Sequence, residues 1–128
     1  MTDFTPIFDV PALAVDKNFT LHGRNRLERR IAWNLLEFMR ENGWTVARTY
    51  DGESWEKPGG SRETMELIFN LDEISIRFHR SPHGKEHGIL LVLGNGEDIV
   101  TDWNYTEGDF DGFNALVERF CDNLEKLL

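Results

Sequence analysis

The stretch that decides the fold is residues 73–103, EISIRFHRSPHGKEHGILLVLGNGEDIVTDW. Ile74, Ile76 and Phe78 alternate with Ser75 and Arg77, the period of a strand with one buried face. Residues 88–93 (Gly88-Ile89-Leu90-Leu91-Val92-Leu93) are apolar on both faces, which predicts a central strand covered on both sides. Gly94-Asn95-Gly96 is a strong hairpin turn, and residues 97–103 return as a strand carrying Ile99, Val100 and Trp103. Links this short between neighbouring strands imply antiparallel pairing.

Two further strands precede this block. Residues 44–50 set Trp44, Val46, Arg48 and Tyr50 against Thr45, Ala47 and Thr49. Residues 62–70 place Met65, Leu67 and Phe69 on one face of a strand, after a loop over residues 51–60. A helix is expected at 25–42, where Leu27, Ile31, Leu35, Phe38 and Met39 share a face. Asn25 and Glu28 have capping-box spacing, and Gly43 fits the left-handed position after the helix, with Trp44 next to contact Met39. A second helix, 109–127, carries Phe113, Leu116, Val117, Phe120, Cys121, Leu124 and Leu127 at helical spacing. Asp109 or Asp111 would cap it. The expected architecture is α+β: two layers, an antiparallel meander of about five strands with both helices packed on it. The 128 residues form one domain, with an irregular but apolar segment, 1–24, packed on the body. Strand 88–93 poses a question: the N-terminal segment, a second copy or a ligand must cover its other face.

Charge narrows the partners. With 23 acidic and 14 basic residues the chain carries −9, which repels phosphate backbones and anionic membranes. No apolar run approaches the ~18–20 residues that span a bilayer. Nucleic acid and membrane are therefore not expected partners, and another protein is. The single cysteine, Cys121, cannot form an internal disulfide and sits in an apolar helical stripe. The first residues hold no basic-then-apolar leader, so a reducing cytoplasm is the expected compartment.

Four constellations could carry chemistry. His79, His83 and His87 fall within nine residues, and His79 and His87 could face each other across a hairpin to bind zinc, nickel or copper. Glu97, Asp98, Asp102 and Glu107 form an acidic edge suited to a basic partner. The edge fails the calcium-loop pattern, which needs glycine where Glu107 falls. Trp33 lies off the apolar stripe of the first helix, among Arg29, Arg30 and Arg40, the composition of an interface hot spot. Trp55 sits in a glycine-flanked loop, where an aromatic side chain can reach a ligand or partner.

No phosphate-binding loop, dinucleotide fingerprint, HExxH, CxxC or nucleophile elbow is present. No catalytic residue and no cofactor are assigned. The expected function is a small, acidic, cytoplasmic, non-catalytic protein-interaction module of adaptor, chaperone-like or immunity-like kind. Homodimerisation would cover the second face of strand 88–93. The alternative is a small-molecule-binding or enzymatic domain with an apolar cavity between sheet and C-terminal helix. Phe69, Phe78, Trp103 and Phe113 would line that cavity, with His79 or Asp102 as the polar group.

Overall fold

The computed structural model describes residues 4–11, 23–50, 52–68, 73–81, 84–103 and 112–128, with only the backbone of 23–25. The elements are α1 (Gly23–Glu41), β1 (Thr45–Tyr50), β2 (Trp55–Glu56), α2 (Ser61–Ile68), β3 (Glu73–His79), β4 (His87–Val92), β5 (Val100–Trp103) and α3 (Phe113–Asp122). Short 3₁₀ turns occupy Gly96–Asp98 and Leu124–Leu127. The fold is α+β: a five-stranded antiparallel sheet with helices packed on it. Strand order is β2-β1-β3-β4-β5, so β1, β3, β4 and β5 follow the expected meander while β2 sits outside β1.

The strand expected at 62–70 is instead a helix over Ser61–Ile68. The topology demands it. Both β2 and β3 pair antiparallel with β1, so they run parallel with β1 between them. A parallel crossover needs a dozen or more residues and is usually helical. Thr64, Met65 and Ile68 are buried at helical spacing, and the Met65–Leu67 alternation is incidental. The fifth strand is the two-residue β2, inside the stretch expected to be a loop.

Helix α1 ends as its sequence implies. Gly43 has φ 91°, Trp44 N–H donates to the Met39 carbonyl at 2.8 Å and Gly43 N–H to that of Arg40 at 3.0 Å. This pair of hydrogen bonds satisfies carbonyls orphaned by the helix end. It delivers Trp44 into the core, where its ring meets Phe113 edge-on at 5.0 Å and His87 at 5.3 Å. The start of the helix departs from expectation. Glu28 does not turn back to a cap. Its buried carboxylate accepts Gly94 N–H at 2.7 Å and Gly96 N–H at 3.0 Å, binding the β4–β5 turn to α1.

Among the described residues, one face of the sheet is covered. Ile74, Ile76 and Phe78 of β3, with His87, Ile89 and Leu91 of β4, point into the core beneath the helices. Residues 4–11 lie on the helix side. Phe4 is buried edge-on against Phe38 and Phe120, at 5.7 and 5.4 Å. Asn34 acts as a one-residue strand partner for Ile7. Its Oδ1 accepts the Ile7 N–H at 2.7 Å, and its Nδ2 donates to the Ile7 carbonyl at 2.8 Å. Among the described residues, nothing covers the outer face of the sheet.

We expect Glu28→Ala to cost on the order of 3 kcal/mol, because two charge-assisted hydrogen bonds from the β4–β5 turn to a buried carboxylate are lost. Urea unfolding measures it. A loss below about 1 kcal/mol would show that water replaces the carboxylate.

Candidate functional site

Pro58, Gly59 and Gly60 separate β2 from α2 and leave a gap beside α1. The first turn of α2 is fixed locally. Glu63 accepts the Gly59 N–H at 2.8 Å, and the Gly60 carbonyl accepts from both Thr64 N–H (2.9 Å) and Thr64 Oγ1 (2.8 Å). The two glycines place no side chains in the gap. The result is an open groove of about 670 Å³, with Trp33, Glu37 and Arg40 on one wall and residues 59–63 and Glu66 on the other. Past Arg40 and the two glycines lies a smaller, more enclosed pocket of about 190 Å³, lined by Leu36, Trp44, Val46 and Pro58.

Groove polarity is partly committed to structure. Arg40 Nε donates to Glu37 Oε2 at 2.8 Å, and Ser61 Oγ donates to the same oxygen at 3.1 Å. The bond to Glu37, and then its charge, push the Arg40 pKa up, so the guanidinium stays charged. Arg40 is exposed, so the pair fixes geometry more than it adds stability.

The five residues expected to bind a partner fall in four places. Trp33 and Arg40 share the groove, with Trp33 half-buried against the core. Arg29 is half-buried one turn earlier. Arg30 faces the chain ends: its Nη1 donates to the Leu127 carbonyl at 2.7 Å and its guanidinium lies 5.1 Å from the Phe8 ring centre. Trp55 stands on the edge strand β2, beside Tyr50 on the outer face of the sheet. Its ring lies 4.8 Å from that of Tyr50, with the guanidinium groups of Arg48 and Arg77 at 4.4 and 5.9 Å.

Two bulges, which the sequence does not announce, decide what the outer face displays. Ala47 is an extra residue in β1, so Arg48 pairs with Arg77 and Tyr50 with Ser75 on the outer face. Thr101 is extra in β5, so Asp102 pairs with Leu90 there. Thr101 Oγ1 donates to the Leu90 carbonyl at 3.2 Å and holds the second bulge. One outer row thus crosses all five strands: Trp55, Tyr50, Ser75, Leu90, Asp102.

The acidic edge is divided. Glu97 and Asp98 are exposed in the 3₁₀ turn, and Asp102 lies on the outer face with Oδ1 accepting the Trp103 N–H at 2.9 Å. Glu107, His83, Phe69, Asp109 and Asp111 lie outside the described residues. His79 and His87 do not face each other. Phe78 pairs with His87, which sends His79 to the opposite face. His87 is buried and stacks on Phe113 at 4.9 Å. Among the described residues no three His, Cys, Asp or Glu side chains are placed to hold a metal ion. Phe78 and Phe113 are inaccessible, with ring centres 5.9 Å apart, so packed rings fill the space between sheet and α3 there. No described helix is long and apolar enough to cross a membrane.

Scans against protein-family models, curated proteins and solved structures returned no match for this chain.

Burial pushes the Cys121 thiol up to about 11, helped by the Asp122 and Glu118 carboxylates. Two pH units of thiolate are thereby lost, so we expect native Cys121 to react with iodoacetamide at pH 8 about a hundredfold more slowly than a free thiol. Alkylation at the free-thiol rate would refute this.

Proposed function

We propose that this chain is a non-catalytic protein-interaction module that holds a basic polypeptide segment in the groove between α1 and α2. One large apolar side chain of that segment enters the inner pocket. The carrying observation is the coupling of two depressions across Arg40 and the Gly59–Gly60 rim. The inner pocket, at about 190 Å³, is smaller than the roughly 300–1,000 Å³ of sites for drug-sized ligands, and its apolar wall suits a single side chain. Trp33 on the outer wall supplies the kind of ring that dominates interface energetics.

Charge gives the partner its sign. The net −9 and the Glu63 and Glu66 carboxylates at the groove attract a basic segment over the distance that salt allows. Glu37 and Glu63 are engaged by Arg40, Ser61 and Gly59, which favours docking over acid–base work. Adaptor, chaperone-like and immunity-like roles all share this mode. A cytoplasmic site of action suits a lone cysteine that stays protonated. The packed rings beneath α3 favour this reading over a ligand cavity.

Panning a random-peptide display library against the folded chain tests the reading. The expected consensus is a large apolar residue flanked by Lys or Arg, with affinity falling as salt rises. Gly60→Leu is the control. A Cβ at Gly60 meets nothing within 4 Å, so the variant should stay within about 1 kcal/mol of wild type while weakening the peptides at least tenfold. No enriched consensus, or peptides indifferent to Gly60→Leu, would overturn it.

A further inference from the structure

We propose that the helix-free face of the sheet carries a second binding site, in the depression over β4, which takes a free α-amino acid by both of its charges. Arg77 holds the carboxylate and Asp102 the ammonium group. The site is a different surface from the groove between α1 and α2, and the inference does not rest on the reading of that groove.

Three neighbouring strands build the depression. Ser75 and Arg77 of β3, Gly88 and Leu90 of β4, and Asp102 and Trp103 of β5 line about 310 Å³ of open space. The registers bring them together: Leu90 pairs with Ser75 on one side and Asp102 on the other, and Gly88 pairs with Arg77. Gly88 decides where the arginine lies. A Cβ there would stand 3.3 Å from Arg77 Nε and 3.4 Å from its Cδ, so the missing side chain lets Arg77 rest against β4.

Arg77 rests there unanswered. Among the described residues no carboxylate pairs with it, and its buried Nε has no acceptor. The other arginine of this face is engaged: Arg48 Nε donates to Glu86 Oε1 at 2.9 Å, and its guanidinium lies 4.4 Å from the Trp55 ring centre. With Nε turned to the protein, the two terminal nitrogens of Arg77 remain to donate to a carboxylate, the acceptor that matches a guanidinium best. Asp102 spends Oδ1 on the Trp103 N–H at 2.9 Å and keeps Oδ2.

Spacing names the ligand. Gly88 and Asp102 are diagonal neighbours across β4 and β5, a separation of about 7–8 Å. The guanidinium beside Gly88 therefore faces the carboxylate across a gap of that order. An α-amino acid holds its charges about 3 Å apart, and with a charge-assisted hydrogen bond of about 2.8 Å at each end it spans about 8 Å. Charge agrees. A simple anion meets the field of a chain carrying −9, and a simple cation meets Arg77, whereas a zwitterion is neutral as the Arg77–Asp102 pair is. Leu90, half-buried on the outer face beside Gly88, offers apolar surface to an aliphatic ligand side chain. The volume sits at the lower end of the roughly 300–1,000 Å³ of small-molecule sites, which suits a molecule this small.

The experiment is a titration of the isotope-labelled full chain with L-leucine at about 0.15 M salt, followed by amide chemical shifts. The expected result is saturable shifts at residues 75–77, 88–90 and 102–103, with a dissociation constant of about 1 mM, in keeping with an open site. Isovalerate lacks the ammonium group and isoamylamine lacks the carboxylate, so each should bind at least about tenfold more weakly than leucine. Arg77→Gln and Asp102→Asn, with circular dichroism confirming each fold, should each weaken leucine by at least about tenfold. Gly88→Ala removes the resting place of Arg77 and serves as a third variant with both charges kept; it should weaken leucine as well. Absence of shifts on this face up to about 20 mM leucine would overturn the proposal. So would leucine binding that is indifferent to all three substitutions, or isovalerate or isoamylamine binding as tightly as leucine, which would mark a site for one charge only.

Discussion

A buried carboxylate held by backbone amides ties this molecule together. Glu28 sits 1% exposed on α1, and no described basic side chain pairs with it. Its charge is carried by two backbone amides of the Gly94–Gly96 turn. Burying a bare carboxylate is prohibitive, so the turn must be present whenever the helix is docked. The turn gains in return, because Gly94 and Gly96 N–H find a charged acceptor that holds them to the helix. Gly94 and Gly96 have φ of 98° and 63°, a backbone shape that aims both amides at one acceptor and that other residues adopt at a cost. Through this contact α1, the element nearest the N-terminal segment, fixes the register of the last hairpin. Asn34 and Arg30 on the same helix then tie down residue 7 and the carbonyl of Leu127, so one helix organises both chain ends.

Sequence reasoning succeeded where one local rule had no competitor. The end of α1 is an example: glycine in the left-handed region followed by an apolar residue has one common outcome, and Gly43 and Trp44 show it. Strand β3 was legible from a clean alternation over seven residues, and β4 from a continuous apolar run bounded by turn signals. Failure came where two local rules fitted. Ser61–Ile68 can be read as alternating or as helical, and only the need to cross β1 between parallel strands selects the helix. Arg, Glu, Met and Leu after Pro58-Gly59-Gly60 were a helix signal outweighed by a coincidental alternation. Glu28 was misread for a related reason: a capping box is local, whereas its actual partners lie 66 and 68 residues away.

The candidate surfaces were less legible than the core. Strict alternation puts Arg48 on the same face as Val46, and only the extra residue Ala47 moves it to the side of Arg77 and Trp55. Thr101 does the same for Asp102. A one-residue slip exchanges the faces of a strand, so each bulge rewrites the chemistry downstream of it. Residue composition therefore identified Trp33, Arg40, Trp55 and Asp102 as notable without showing that they belong to two different surfaces.

Both surfaces have the same cause. In a chain of this length, a large share of the big side chains is needed to fill the single core, and Trp44, Phe78, Phe113 and Phe120 are inaccessible within it. Recesses for a partner cannot be carved from that packing without losing contacts on every wall. They form instead where glycine withholds a side chain at the surface: Gly59 and Gly60 between α1 and α2, and Gly88 on the open face of β4. A tryptophan with arginine nearby stands beside the first recess, and another stands across the sheet from the second. The recognition we propose is thus a property of missing side chains framed by large ones, and it leaves the core that supports it intact.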